Sequence, residues 1–232
     1  MAVQGDNAVR YRVCVSRLGE RARQISHLGQ IELLRRGVVK SGLPAMVDGK
    51  RKRPKPRLAF GPAISVGHES LAEYFDLELS ERLAPETVEK KLSEALDDGF
   101  EVRSVRRIPR YFPSLDASLN VVRYEIRGRF GDGAAARLET FLKNDEIVLE
   151  KIKDGGARVE RVDARPLIIE MRQEPENTLH LTLRFGPKRT VKPEAVLRSW
   201  LGESGAGKTE PRFDILRKEL LSETSKGELM AP

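Results

Sequence analysis

Apolar and polar residues alternate near the start of the chain, with Val9, Tyr11, Val13 and Val15 on one side and Arg10, Arg12, Cys14 and Ser16 on the other. That period of two predicts a strand with one buried face and its arginines turned away from the core. Ser26 is placed to cap a helix in which Leu28, Ile31, Leu34 and Val38 recur at helical spacing before Gly42-Leu43-Pro44 ends it. Arg57 to Ile64 and Leu71 to Leu79 then read as two short strands, with Ser65 to Ser70 as the turn between them. Pro85 opens the clearest helix, with Val88, Leu92, Ala95 and Leu96 on one face and Gly99 at its end. Phe100 to Ile108 follows as a strand whose alternation slips once, the mark of a bulge.

The resulting order, βαββαβ, is the ferredoxin-like pattern of four strands with two helices on one face. The second half repeats it. Strand Leu119 to Arg127 leads to a helix over Ala134 to Leu142, then to a hairpin turned at Asp154-Gly155-Gly156. Leu167, Ile169 and Met171 mark the next strand, and Leu179, Leu181, Leu183 and Phe185 alternate strictly in the one after it. Pro193 opens a helix carrying Val196, Leu197, Trp200 and Leu201, and Phe213 to Leu221 fits either a strand or a helix. The expected architecture is α+β, with two tandem ferredoxin-like domains over residues 1–112 and 113–222, an extra hairpin in the second, and a disordered tail over 223–232. Pro109 to Ser118 is the expected link between halves.

Charge adds a second kind of information. Residues 1–57 hold 14 Lys and Arg against 4 Asp and Glu, a net +10, whereas the rest of the chain holds 28 against 31, a net −3. Crowded like charge opposes compaction, so its usual use is a polyanionic partner. The centre of the asymmetry is Lys50-Arg51-Lys52-Arg53-Pro54-Lys55-Pro56-Arg57, whose prolines favour an extended loop or sheet edge. Arg10, Arg12, Arg17, Arg21 and Arg23 precede it. A ferredoxin-like sheet would bring the first strand beside the third and join all these cations, Lys50 to Arg53 with Lys55 and Arg57 included, into one phosphate-binding surface. The competing reading pairs the strand arginines with Glu73, Asp76 or Glu78 across the sheet. Aromatic content of 6% argues against base stacking in the manner of RNA-recognition motifs.

The single Cys14 excludes an internal disulfide and any multi-cysteine zinc or iron-sulfur site built from this chain alone. No run reaches the roughly 18 apolar residues that a bilayer span needs, and Met1 to Asp6 lacks the features of a signal peptide, so a cytoplasmic location with no membrane partner is expected. Gly202 to Thr209 has Walker A spacing, but Pro193 to Leu201 before it reads as a helix rather than a buried strand and Pro211 interrupts any helix after it. His27, His68 and His180 are too separated to form a metal site. No cofactor and no metal are expected.

Ser26-His27-Leu28, Gly42-Leu43-Pro44, Pro56-Arg57-Leu58-Ala59-Phe60, Gly67-His68-Glu69-Ser70 before Glu73-Tyr74-Phe75-Asp76-Leu77, Val162 to Ile168 and Lys192 to Leu197 together resemble an uncharacterised bacterial family. It is the family of radical-SAM-linked, or radical-SAM-associated, proteins, in which this domain stands alone or is fused after a cobalamin-binding radical SAM enzyme. The chain departs from the family's usual pattern in having Gly29 after Ser-His-Leu, where an Asp is usual, and Gly49 to Pro56 in place of a Gly-Phe-Asn-Pro-His-Pro loop. The resemblance implies a radical SAM enzyme as partner, with the iron-sulfur cluster on that partner polypeptide.

The sequence therefore points to a non-catalytic RNA-binding accessory module that presents a structured RNA, ribosomal or transfer RNA, to a radical SAM RNA-modifying enzyme. Two alternatives remain open. One is a metal-independent endoribonuclease of the type that processes CRISPR repeats, using His27 with Arg17 or Arg23. The other is a protein-interaction adaptor.

Overall fold

A computed structural model describes residues 8–48, 54–153, 158–175, 177–187, 189–202 and 213–232. The chain is α+β and divides into two compact units, Met1–Leu119 together with Pro232, and Asn120–Ala231. No helix among the described residues is long and apolar enough to cross a membrane.

In the first unit, β1 (Val9–Arg17) leads through a one-turn helix α1 (Glu20–Arg23) to α2 (His27–Lys40), β2 (Leu58–Phe60), β3 (Glu69–Leu79), α3 (Pro85–Ser93), β4 (Phe100–Ile108) and a short α4 (Leu115–Ser118). Every pairing is antiparallel, in the order β4-β1-β3-β2. Tyr11, Val13 and Val15 of β1 join Phe75 and Leu77 of β3, Leu34 and Val38 of α2, and Val88 and Leu92 of α3 in one apolar core. Ser26 caps α2 as its sequence position predicts, its hydroxyl accepting from the Gly29 N–H at 3.1 Å. Leu28 is a correction, for it lies 74% exposed, while Gln30 takes a place in the buried stripe because its side chain satisfies polar groups beneath the helix.

The face of β1 opposite the helices also differs from expectation. Arg10 and Arg12 do point away from the apolar core, but Arg12 is buried, because residues 109–119 lie over it. Arg10 donates to the Phe112 carbonyl at 2.8 Å and Arg12 to the Pro113 carbonyl at 3.0 Å, so the segment read as a link covers one side of the sheet. Arg17 is fully buried at the far end, after a bulge between Val15 and Arg17.

In the second unit, β5 (Val121–Arg127), α5 (Ala134–Leu142), a hairpin of β6 (Val148–Lys153) and β7 (Arg158–Asp163), β8 (Ile168–Glu174), β9 (Thr178–Arg184), α6 (Pro193–Leu201), β10 (Asp214–Glu223) and β11 (Leu229–Met230) follow in order. Its main sheet runs β10-β5-β9-β8, again antiparallel throughout, and β6 pairs only with β7. Setting that hairpin aside, the fourth strand lies beside the first and the third lies between first and second, as in the first unit. Leu179, Leu181 and Leu183 of β9 and Val196, Leu197 and Trp200 of α6 are buried, as their spacing requires.

Phe213 to Leu221 resolves as a strand. The end of the chain, expected to be disordered, turns back instead. The Thr224 hydroxyl accepts from the Lys226 and Glu228 amides at 3.3 and 3.2 Å, Gly227 supplies φ +80°, and Leu229 and Met230 pair with Glu223 and Ser222. The Asp154-Gly155-Gly156 turn lies outside the described residues, as does nearly all of the Walker-like stretch.

Candidate functional site

The basic segment is rooted at the end of β3. Met46 N–H donates to the Glu78 carbonyl at 2.8 Å, Arg57 N–H to the Met46 carbonyl at 2.7 Å, and Asp48 N–H to the Lys55 carbonyl at 3.0 Å. Val47 also bridges Pro56 in antiparallel fashion. Lys50, Arg51, Lys52 and Arg53 lie outside the described residues, but the two ends of the segment that contains them, Asp48 and Lys55, are thereby held side by side.

Both ends line a cleft of about 400 Å³ in the first unit, whose walls include the cations Arg10, Arg35, Lys55 and Arg57 and the carboxylates Asp48, Asp76 and Glu78. Each cation there has a carboxylate within reach. Asp76 receives Arg10 and Arg12, the latter through two bonds of 2.8 and 3.0 Å. Arg57 stands 3.5 Å from Glu78, and Lys55 and Arg35 share Glu32 at 3.0 and 2.9 Å. Hydrogen bonds from Lys55 and then Arg35 hold the Glu32 carboxyl below its ordinary value. The Arg35 guanidinium also sits 5.7 Å from the centre of the Phe60 ring. The cleft is nearly charge-balanced by itself.

The remaining arginines singled out in the sequence separate into two groups. Arg10 and Arg12 take the cross-sheet pairing with Asp76 that competed with the phosphate reading. Arg17 donates to the Ala22 and Ile25 carbonyls and, at 3.0 Å, to Gln30 Oε1, whose amide donates in turn to Glu73 at 2.8 Å. Arg23 pairs with Glu69 at 2.9 Å, while Arg21 is exposed. Glu69 also accepts from the Gly19 N–H, and the Gly67 N–H donates to the Arg23 carbonyl at 2.8 Å. The segment before Ser26-His27-Leu28 and the Gly67-His68-Glu69-Ser70 turn therefore meet at one corner, where His68 and Ser70 are buried and His27 is half-buried in the first turn of α2. The two arginines that the nuclease alternative would use both have partners within this corner.

His180 lies 3.3 Å from Glu174 in the second unit. Among the described residues no group of three His, Cys, Asp or Glu is arranged to hold a metal ion. Of the lining cations, Arg35 is the one that sequence reasoning missed. Its i,i+3 spacing from Glu32 was the available signal, but nothing in the sequence placed that helix face beside Lys55.

Sheet order, covering segment and cleft thus define an α+β protein with an open, charged cleft lined by Asp48 and Lys55, the residues that flank a strongly basic stretch of sequence. The pattern defining a family described as an uncharacterized protein conserved in bacteria (DUF2344) matches residues 10–193, and the chain belongs to that family. No curated protein matches it.

Proposed function

We propose that this chain is a non-catalytic RNA-binding accessory module, built from two ferredoxin-like domains, that works in the cytoplasm with a radical SAM enzyme acting on RNA. The repeated antiparallel order, with the first strand between fourth and third, supports the domain reading. The radical SAM partner is supported by the sequence resemblance. The observation that carries RNA binding is that Asp48 and Lys55, which flank Lys50 to Arg53 in the sequence, are held side by side at the cleft. The cleft's own cations are balanced by Asp48, Asp76, Glu78 and Glu32, so four further cations between Asp48 and Lys55 give this region a positive excess.

The test is a salt titration of RNA binding by the full chain and by a variant with Lys50, Arg51, Lys52 and Arg53 all replaced by Ala. Releasing condensed counterions makes log affinity fall linearly with log salt, by about 0.7 to 0.9 per phosphate contact. The variant is expected to flatten that slope by up to about three units and to weaken unrelated RNAs alike, because phosphate contacts carry little sequence information. Unchanged affinity and slope would remove the basis for the RNA reading and leave the adaptor.

A further inference from the structure

We propose that the edge strand β4, together with the loop before α3, is a second RNA-contacting surface, on which arginines take backbone phosphates and Tyr111 stacks on a base. This deepens the RNA reading and rests on it.

Arg10 and Arg12 of β1 pair with Asp76, whereas the arginines of β4 make no ion pair among the described residues. Arg103, Arg106 and Arg107 of β4 and Arg82 of the preceding loop are all exposed, and no ion pair among the described residues involves any of them. β4 stands at the end of the sheet order, so its outer edge has no neighbouring strand. Charge on an edge deters unwanted strand pairing, a role that either sign would serve. Three arginines against Glu101 instead select for anions.

These side chains also shape a recess. Arg82, Arg106 and Arg107 line a groove of about 690 Å³ with Val105 and the opening of α3 from Ala84 to Glu86. Its wall is fixed from inside the core, since the Tyr11 hydroxyl donates to the Leu83 carbonyl at 2.6 Å and accepts from the Leu83 N–H at 2.8 Å. At the opening of α3, Pro85 has no N–H and the Thr87 N–H donates to the Ala84 carbonyl at 3.0 Å, so the groove's attraction for an anion comes from its three arginines against the one carboxylate of Glu86.

Beyond the end of β4 the chain presents Tyr111, which is 89% exposed, while the next residue, Phe112, lies under the guanidinium groups of Arg12 and Arg106 at 5.3 and 5.7 Å. Folding gains nothing from an aromatic ring held in water. Beside a row of arginines it matches the pairing of basic track and stacking platform that single-stranded nucleic acid uses. An acidic polypeptide would engage the arginines equally well but has no base for Tyr111, and this favours RNA.

The experiment measures binding of the full chain to a short single-stranded RNA, to the same RNA with abasic sugars, and to polyglutamate, each across a salt series. The combined variant Arg82→Ala, Arg103→Ala and Arg107→Ala is expected to flatten the RNA slope by about two units. Arg107→Lys, which keeps the charge, is expected to preserve it. Tyr111→Ala is expected to weaken the base-containing RNA about fivefold or more without changing the slope, and to leave the abasic RNA unaffected. If the Arg82, Arg103 and Arg107 variant keeps the full slope while the Lys50 to Arg53 variant loses it, the edge proposal fails and RNA binding at the basic segment stands. If neither variant alters RNA binding, both fail. Polyglutamate binding that depends on the edge arginines, with Tyr111→Ala silent on RNA, would assign the surface to an acidic protein and overturn the proposal.

Discussion

Asp76 should be among the most sensitive single positions in the first unit, because one carboxylate serves two guanidinium groups in a place water hardly reaches. The side chains of Asp76 and Arg12 are 2% and 1% exposed, and that of Arg10 is 15% exposed. Asp76→Asn keeps the size, removes the charge and turns one acceptor into a donor facing cations. It leaves Arg12 buried beneath Phe112 and Pro113 with no carboxylate among the described residues in reach. Removing one member of a buried pair typically costs about 3 to 5 kcal/mol, mainly from the stranded partner. The reverse change is milder. Arg12→Met leaves Asp76 still paired to Arg10 and fills the space with an apolar chain, so it should cost about 1.5 to 3 kcal/mol, the worth of the charged hydrogen bonds it gives up. Urea denaturation of the three proteins, read by circular dichroism with the slope m checked for constancy, gives both values. A loss below about 1 kcal/mol for Asp76→Asn would show that the face is wetter than its burial implies and that the arginines remain available to ligands, and a loss for Arg12→Met larger than that for Asp76→Asn would refute the reasoning that the stranded guanidinium carries the cost.

Two further outcomes follow from single residues. Burial pushes the Cys14 thiol up to about 11 from its ordinary 9.0, with its Sγ 3.6 Å from the Leu71 carbonyl. The native protein should therefore react with a thiol reagent at pH 8 far more slowly than the urea-unfolded chain, and the stability held by the protonated thiol should be present below pH 9.0 and fade as the pH rises towards about 11; equal native and unfolded rates would contradict this. Gly99 has φ +93°, and a Cβ there would stand 3.3 Å from the Leu18 carbonyl and 3.4 Å from Ala22 Cβ, so Gly99→Ala should lower the unfolding free energy by about 1 to 2 kcal/mol, a reading refuted by a neutral result in the same denaturation assay.

The elements that could be read from the sequence are those whose burial is set by their own periodicity. Tyr11, Val13 and Val15 alternate, and they sit in the core; Val88 and Leu92 are four apart after Pro85, and they face the sheet. What alternation cannot supply is the identity of whatever covers the other face. Arg12 was correctly assigned to the side away from the helices, yet whether that side is solvent or protein depends on Phe112 and Pro113, a hundred residues on, in a stretch whose prolines suggest only a link. Arg17 was misjudged for another reason. It continues the buried face of Val13 and Val15, since the extra residue of the bulge lies on β3, where Glu73 faces Val15 and Ser70 faces Arg17; what the sequence could not show is that the Ala22 and Ile25 carbonyls and Gln30 wait there to receive its guanidinium. The terminal hairpin was missed because two-residue strands have no period to detect, although Thr224 and Gly227 are residues that turns favour. At the cleft, Lys55 and Arg57 were legible as charge, but the partners Glu32 and Glu78 come from elements that only the fold brings near.

This difference between charge counted and charge available bears directly on what any salt titration of this protein means. Were all 14 Lys and Arg of residues 1–57 phosphate ligands, the slope of log affinity against log salt would approach −10 at about 0.7 per contact. The fold withdraws much of that number. Arg10, Arg12 and Arg23 already sit against carboxylates, and Arg17 donates to main-chain carbonyls and Gln30. Engaging a phosphate would require breaking those contacts first, and for Arg12 and Arg17 it would also mean leaving the interior. Arg82, Arg103 and Arg107 make no ion pair among the described residues, and if they and the four cations of residues 50–53 make the contacts of the scheme proposed here, seven contacts set a slope of about −5. In the proposed scheme the contact surface is therefore set by where the carboxylates are: Asp76 takes Arg10 and Arg12 of β1, while the exposed arginines of β4 make no ion pair among the described residues.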